Sequence, residues 1–228
     1  MPEIAVKTRD CSVVDLGLLD YLKAWDLQKK IFQDRRDGKT GDILLLLQHP
    51  HTYTIGKSGK AEHLLVSREA LADKGIFVYD IDRGGDITYH GPGQLVGYPI
   101  ISLTENKLSI SDYVRNLEEV IIITMAEYGV EAGRIKGLTG VWLGNSKIAA
   151  IGVKVSHWLT MHGFALNVNT DLEYFNYITP CGIKDKGVTS LSRIMGKQVE
   201  SGEVAKKTVE NFGKVFNMEM KWGALGNG

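Results

Sequence analysis

Gly140-Val141-Trp142-Leu143-Gly144-Asn145-Ser146-Lys147-Ile148-Ala149-Ala150-Ile151-Gly152-Val153-Lys154-Val155 reads as two apolar runs broken by Gly-Asn-Ser. Glycine and asparagine tolerate the positive φ of a tight hairpin, so the stretch predicts strands over 140–143 and 147–155 joined by a turn at 144–146. A further strand is expected over 162–168. Upstream, residues 43–47 form a short, uniformly apolar run, better suited to a buried strand than to a helix. Residues 52–55 and 76–79, rich in β-branched and aromatic types, add two more strands. Helical spacing of Leu18, Leu22, Trp25 and Phe32 predicts a helix over 16–36, ended by Asp37-Gly38-Lys39-Thr40-Gly41. A second helix is expected over 111–128, with Ser111 as cap, Asp112 in its first turn and Gly129 as terminator. Its apolar stripe is Val114, Leu117, Ile121, Met125 and Tyr128. A third, over 202–216, carries Val204, Thr208, Phe212 and Val215 on one face. Helices and strands do not alternate regularly, which argues against a doubly wound sheet. The expectation is one α+β domain over residues 1–228 with a mixed or antiparallel sheet.

The chain has 27 basic and 27 acidic residues, so no global charge points to nucleic acid or an anionic membrane. Its first residues lack the basic and apolar regions of a secretory signal, and the longest apolar run is too short to cross a bilayer. Two cysteines, Cys11 and Cys181, do not make a disulfide framework and fit a reducing compartment. The expected location is cytoplasmic.

Cys11 has no cation, histidine or glycine turn pattern beside it and reads as structural. Cys181 lies in Thr179-Pro180-Cys181-Gly182-Ile183, where glycine leaves little steric cover. A thiolate is a soft nucleophile, and an ammonium such as that of Lys147 would lower the thiol pKa. On its own, Pro-Cys-Gly fits a small core residue as well as a nucleophile. A lone lysine at a hairpin end is by default a solvated charge, although Ile148-Ala149-Ala150-Ile151-Gly152 suggests entry into a buried strand. The small residues there fit either ordinary packing or room for a ligand.

Arg83-Gly84-Gly85-Asp86-Ile87-Thr88-Tyr89-His90-Gly91-Pro92-Gly93-Gln94 is too rich in glycine for a helix or a regular strand. It lacks the spacing of a Walker or dinucleotide motif, and reads equally as a self-satisfied loop or as a ligand site with His90 as its best polar candidate. Tyr89 and Phe164 are candidates to wall an apolar tunnel. The six histidines, His49, His51, His63, His90, His157 and His162, lack zinc-site spacing, so no metal is expected.

Taken together and in order, four segments resemble the lipoyl(octanoyl) transferase family, the LipB-type octanoyl-[acyl-carrier-protein]–protein N-octanoyltransferases. They are the glycine loop just quoted, Lys147-Ile148-Ala149-Ala150-Ile151-Gly152-Val153, His162-Gly163-Phe164-Ala165-Leu166-Asn167 and Pro180-Cys181-Gly182-Ile183. The likeness runs from about Leu44 to Ser192. It implies a mixed β-sheet flanked by helices, like the biotin protein ligase/lipoate–protein ligase catalytic core. It also implies transfer of octanoyl from octanoyl-acyl carrier protein to a lysine of lipoyl domains, without a cofactor. The carriers implied are 2-oxo acid dehydrogenase E2 subunits and glycine cleavage H protein. Cys181 falls on the family's acyl-thioester cysteine and Lys147 on its partner lysine. The substrate-binding positions implied are Arg83, Gly84, Gly85, Asp86, Ile87, Thr88, Tyr89, His90, Ala150, Ile151, Gly152, Gly163, Phe164 and Ala165. Lys154, Lys184, Lys186, Arg193 and Lys197 are basic candidates to meet an acidic carrier. Two other readings stand beside this one: an ATP-dependent lipoate–protein ligase, whose acyl-adenylate chemistry needs no thiol, and a non-catalytic carrier-domain binding module.

Overall fold

The structure, a computed structural model, describes residues 8–179 and 186–223. Strand β1 (Arg9–Leu18) leads through Asp20, whose carboxylate accepts from the Leu22 and Lys23 amides, into α1 (Tyr21–Arg36). Then come β2 (Asp42–Gln48), β3 (Thr52–Ile55), a 3₁₀ turn at Ala61–His63, α2 (Arg68–Ala72), β4 (Phe77–Asp80), β5 (Ile87–His90) and β6 (Gln94–Ile100). Next, α3 (Ile110–Ala126) precedes β7 (Gly133–Ile135), β8 (Leu138–Leu143), β9 (Ser146–Ser156) and β10 (Leu159–Asn167). The chain continues through a 3₁₀ segment (Leu172–Tyr177), β11 (Gly187–Val188), α4 (Leu191–Met195) and α5 (Ser201–Phe216) to β12 (Met218–Trp222).

Among the described residues the main sheet has nine strands, in the order β12-β1-β2-β6-β10-β9-β8-β7, with β11 beside β9. Strand β1 runs parallel to β12 and β2, β11 runs parallel to β9, and the other pairs are antiparallel. A second sheet, β4-β3-β5, carries the start of the glycine loop. The sheet is therefore mixed, as expected, with helices on both faces. On one face α3 and α5 bury Leu117, Ile121, Val204 and Phe212 against Leu44, Leu46, Ile148 and Leu166. On the other, Ala24 and Ile31 of α1 pack on Leu45, Leu47, Val96 and Ala165. Covering both faces explains the unbroken apolar run of β2: each fully buried leucine contributes about 2 kcal/mol, and alternation has no solvent face to serve. The small sheet has its own core around Tyr53, Ile87, Tyr89 and Phe175.

Four expectations need correction. The glycine-rich stretch 83–94, read as unsuited to a regular strand, holds β5 at Ile87–His90, paired antiparallel with β3, because its glycines lie outside those four residues. Residues 16–18 belong to β1, and α1 buries Tyr21, Ala24, Gln28 and Ile31, whereas Leu18 and Leu22 are exposed. Helix α3 is capped by Ser109, not Ser111. The Ser109 hydroxyl accepts from the Asp112 amide and the Asp112 carboxylate accepts from the Ser109 amide, a closed capping box. The hairpin at 144–146 forms, but Ser146 already pairs with Leu143, so Gly144 and Asn145 alone make the turn. Cys11 is completely buried in the α3/α5 core, and burial pushes its thiol far above the ordinary range.

Candidate active site

A cavity of about 470 Å³ opens between the main sheet and the small one. Its sheet wall comes from the β9–β10 pair, where Ala150 lies opposite Ala165 and Gly152 opposite Gly163. These four small residues leave the wall low. Ile151 and Phe164 also border the cavity, but by strand alternation their side chains enter the α3/α5 core. There the Phe164 ring fills the place of Gly97's missing side chain, since a Cβ on Gly97 would stand 2.2 Å from Phe164 Cζ. Phe164 is thus a core ring behind the wall.

Lys147 enters at the β9 end of this wall. Its stem runs past Gly140, whose φ of +121° and absent side chain leave space for it, and its ammonium lies 4.7 Å from the centre of the Trp142 ring. Lys147 and Trp142 both line the cavity. Strand β11 runs alongside, with Val188 in register with Lys147 and the Thr189 amide donating to the Lys147 carbonyl at 2.9 Å. Cys181, the nucleophile expected from the sequence, lies outside the described residues, as do Pro180, Gly182, Ile183 and Lys184. The chain is described again on either side: the Thr179 amide donates to the His63 carbonyl at 2.8 Å, and the Gly187 amide to the Asn145 carbonyl at 3.1 Å.

The glycine loop forms the facing wall. Arg83 is 7% exposed and lines the cavity. Its guanidinium donates to the Thr54 carbonyl at 2.7 Å, the Thr54 hydroxyl at 2.9 Å and the Gly84 carbonyl at 3.0 Å. Its stem occupies the space that a side chain at Gly152 would need, 2.9 Å from Cδ. Gly85, Asp86, Ile87, Thr88 and His90 line the cavity too. Gly84 and Tyr89 are not among its lining residues. Gly84 ties the loop to β9 by donating its amide to the Val153 carbonyl at 2.9 Å. Tyr89 points to the other side of β5, stacks on Tyr174 with centroids 5.1 Å apart, and meets His51 Nδ1 through its hydroxyl at 2.7 Å.

Gln94 and Asp82, to which sequence reasoning gave no role, join His90, Asn167 and His162 in holding this wall in place. His90 Nδ1 donates to Gln94 Oε1 at 2.8 Å. Gln94 Nε2 donates to Asn167 Oδ1 at 3.0 Å, and Asn167 Nδ2 to the Thr189 carbonyl at 3.0 Å, linking glycine loop, β10 and β11. Burial holds His90 well below the usual histidine pKa, with nearby His49 adding to the effect, so it serves as a neutral donor that orders the loop. His162 is 1% exposed, and its Nε2 donates to Asp82 Oδ1 at 2.8 Å while Asp82 Oδ2 accepts from Lys154 at 2.6 Å. Burial lowers the His162 pKa, and these two donors hold the Asp82 carboxyl far below the carboxylate range. Of the other basic candidates, Lys154 is thus committed to Asp82, Lys186 donates to Asn145, and Arg193 and Lys197 are exposed. A single Asp-Arg dipeptide gave no sign that Asp82 would reach His162, eighty residues on.

A mixed sheet flanked by helices is the architecture of the lipoate and biotin protein ligase catalytic core. The putative lipoate protein ligase Ta0514 of T. acidophilum, solved with bound lipoic acid, superposes with a TM-score of 0.74 at 16% identity, covering 96% of this chain and 90% of that one. Biotin protein ligase of Aquifex aeolicus gives 0.52 at 13% identity, over 91% and 69%. At these identities the likeness concerns the fold. The sequence goes further: residues 20–213 match the family described as Lipoyl protein ligase A/B catalytic domain, and the chain belongs to that family. An octanoyltransferase of Solibacter usitatus is 50% identical over 216 residues, covering 95% of this chain and 97% of the relative. One from Caldicellulosiruptor saccharolyticus is 49% identical over 92% and 91%. The chain is an acyltransferase that moves octanoyl in protein lipoylation. A non-catalytic binding module is thereby set aside.

Proposed function

We propose that octanoyl-acyl carrier protein delivers its acyl group to Cys181, with the eight-carbon chain in the 470 Å³ cavity. From this thioester the group would pass to a specific lysine of a lipoyl domain, in the E2 subunits and H protein named above. The observation that carries this reading is the entry of the Lys147 side chain beside a wall of Ala150, Gly152, Gly163 and Ala165. The volume suits a small acyl ligand. Thr179, two residues before Cys181 in the sequence, is tied to the cavity-lining residue His63 by a backbone hydrogen bond, which supports the reading. In the first step the thiolate attacks the carrier thioester while the Lys147 ammonium faces it, and Lys147 then protonates the departing phosphopantetheine thiolate. In the second step neutral Lys147 takes a proton from the attacking amine and returns to the cationic form as sulfur leaves. No cofactor enters either step. The remaining lining residues of the glycine loop bind substrate, Gly84 and Tyr89 fix that loop from outside the cavity, and the reaction is assigned to the cytoplasm.

Intact mass spectrometry after mixing with octanoyl-acyl carrier protein should show one octanoyl group, mapped to Cys181 and lost in Cys181→Ser. Lys147→Ala should move the pH at which iodoacetamide alkylates Cys181 upward by about one unit, because a nearby cation favours the thiolate. An adduct on Cys11, no adduct at all, or product formed from lipoate, ATP and apo carrier alone would count against the thioester route.

A further inference from the structure

His63 has a place in the cavity wall that the two-step scheme leaves unused. It closes the 3₁₀ turn Ala61–His63, and its Nδ1–H donates to Asp86 Oδ2 at 2.6 Å. Asp86 is itself aligned, since its Oδ1 accepts from the Ile87 amide at 2.7 Å. Both side chains line the cavity, with 18% and 11% of their surfaces exposed. Donation from Nδ1 fixes the tautomer and leaves Nε2 with its lone pair, and among the described residues no hydrogen bond engages that nitrogen. A carboxylate that orients an imidazole, whose far nitrogen is left as an acceptor, is the arrangement that acyl transfer uses for proton removal.

The proton count of the reaction calls for such a group. At neutral pH a carrier lysine arrives as an ammonium ion. In the amide product its nitrogen carries a single hydrogen, so two protons have left it. Lys147, having given one proton to the departing pantetheine sulfur, can accept one in return. The other must go elsewhere, and one proton per turnover must reach solvent. We propose that His63, oriented by Asp86, is the catalytic base that takes the first proton from the carrier-lysine ammonium through Nε2 and releases it to water at the cavity mouth. The neutral amine then attacks the thioester carbon, the C–N bond forms and the C–S bond breaks. The electron pair of that bond stays on sulfur beside the Lys147 cation, and the second proton goes to Lys147. Partial exposure suits this role, because the base must reload from solvent in every cycle, whereas His90 and His162 are sealed in the interior. The inference rests on the thioester reading above.

The test separates the two half-reactions. Octanoyl-loaded enzyme is isolated by intact mass and mixed with an apo lipoyl domain, and single-turnover transfer is followed by quench. His63→Gln should load octanoyl within about threefold of the unaltered chain yet transfer it about a hundredfold more slowly, the ordinary contribution of a positioned base. Asp86→Asn, which keeps the imidazole but loosens it, should show a smaller loss in the same step. Transfer to hydroxylamine, which is neutral at the assay pH and has one proton fewer to lose, should stay within about threefold in His63→Gln. Unchanged transfer to the lipoyl domain would overturn the proposal, as would an equal loss in loading, in transfer and in reaction with hydroxylamine. Absence of any octanoyl adduct on the unaltered chain would overturn the thioester reading, and this assignment with it.

Discussion

Acid should unfold this protein by way of the aromatic and histidine cluster that backs the cavity, and His49 allows the size of the effect to be worked out. His49 is completely buried. Its Nδ1 donates to the Leu19 carbonyl at 2.7 Å, and its Nε2 accepts from the Tyr98 hydroxyl at 2.8 Å. Its ring lies 5.0 Å from Tyr21 and 5.5 Å from His90, both of which line the cavity. Burial lowers its pKa to about 4, against an ordinary value of 6.5. The folded state therefore resists protonation where the unfolded chain accepts it. Stability is fully present above pH 6.5 and drains away as the pH falls toward 4. The difference of about 2.5 units corresponds to about 3 kcal/mol by pH 4, of which about 2 kcal/mol is already lost at pH 5. His90 and His162 shift in the same direction and add to the slope. The assay is urea unfolding followed by tryptophan fluorescence at half-unit pH steps from 7.5 to 4.5. His49→Gln should lower stability at pH 7.5 but flatten the acid slope, so that the two proteins converge by about 2 kcal/mol at pH 5. Parallel curves would refute the assignment of that slope to His49.

The remaining predictions concern the wall and its hairpin. Gly163→Ala would place a Cβ 2.1 Å from the Gly97 carbonyl oxygen and 2.6 Å from Pro99 Cδ, contacts a strand cannot relieve, and should cost about 1–3 kcal/mol in urea unfolding. Ala165→Leu should fill the cavity from the β10 side, cutting single-turnover octanoyl loading at least about tenfold while butanoyl loading stays within about threefold, and equal losses would place the acyl chain elsewhere. Replacing His157-Trp158 by Asn-Gly should raise stability by about 1 kcal/mol with octanoyl transfer unchanged. Both residues hold positive φ, 52° and 58°, which Asn and Gly adopt at lower cost, and a loss of stability in urea would refute this.

What the sequence disclosed about the fold follows the range of the forces involved. Strand β2 was legible because a strand buried on both faces is apolar throughout, β3 by its β-branched and aromatic residues, β9 by the Gly-Asn turn that opens it, and α5 because its buried face repeats at helical spacing. Strand β1 was missed for a physical reason: it joins β2 and β12 in parallel pairs, and the residues that select its register lie some thirty and two hundred positions away. The face of α1 was misjudged because part of it is polar. Gln28, completely buried, accepts the His162 amide at 2.8 Å, and Tyr21 stacks on Tyr79, so counting apolar residues favoured Leu18 and Leu22 instead. Ser111 reads as the cap because it directly precedes Asp112 and the apolar stripe, whereas Asp112 stands three residues beyond Ser109, the spacing that closes a capping box.

The site was legible to the extent that one hairpin register was. Across the β9–β10 pair the Ser146–Ser156 and Leu159–Asn167 strands meet about the His157-Trp158 turn, and Ser156 faces Leu159. Carried up both strands, that register sets Gly152 against Gly163 and Ala150 against Ala165. Ala150-Ile151-Gly152 and Gly163-Phe164-Ala165 are thus mirror images, each with an alanine and a glycine that border the cavity and one large residue turned to the core. Either segment alone resembles ordinary packing, and the pattern acquires meaning once the turn is placed. The turn was hidden because neither His157 nor Trp158 is one of the Gly, Asn or Asp residues that mark a two-residue hairpin, and a bulky Trp158 at positive φ is unexpected. A one-residue slip of this hairpin would send Ile151 and Phe164 into the cavity and bring the small residues against α3 and α5, filling the acyl space and opening a void in the core together. Because the same register governs core density and cavity volume, strand pairing that satisfies the core also clears the space beside Lys147.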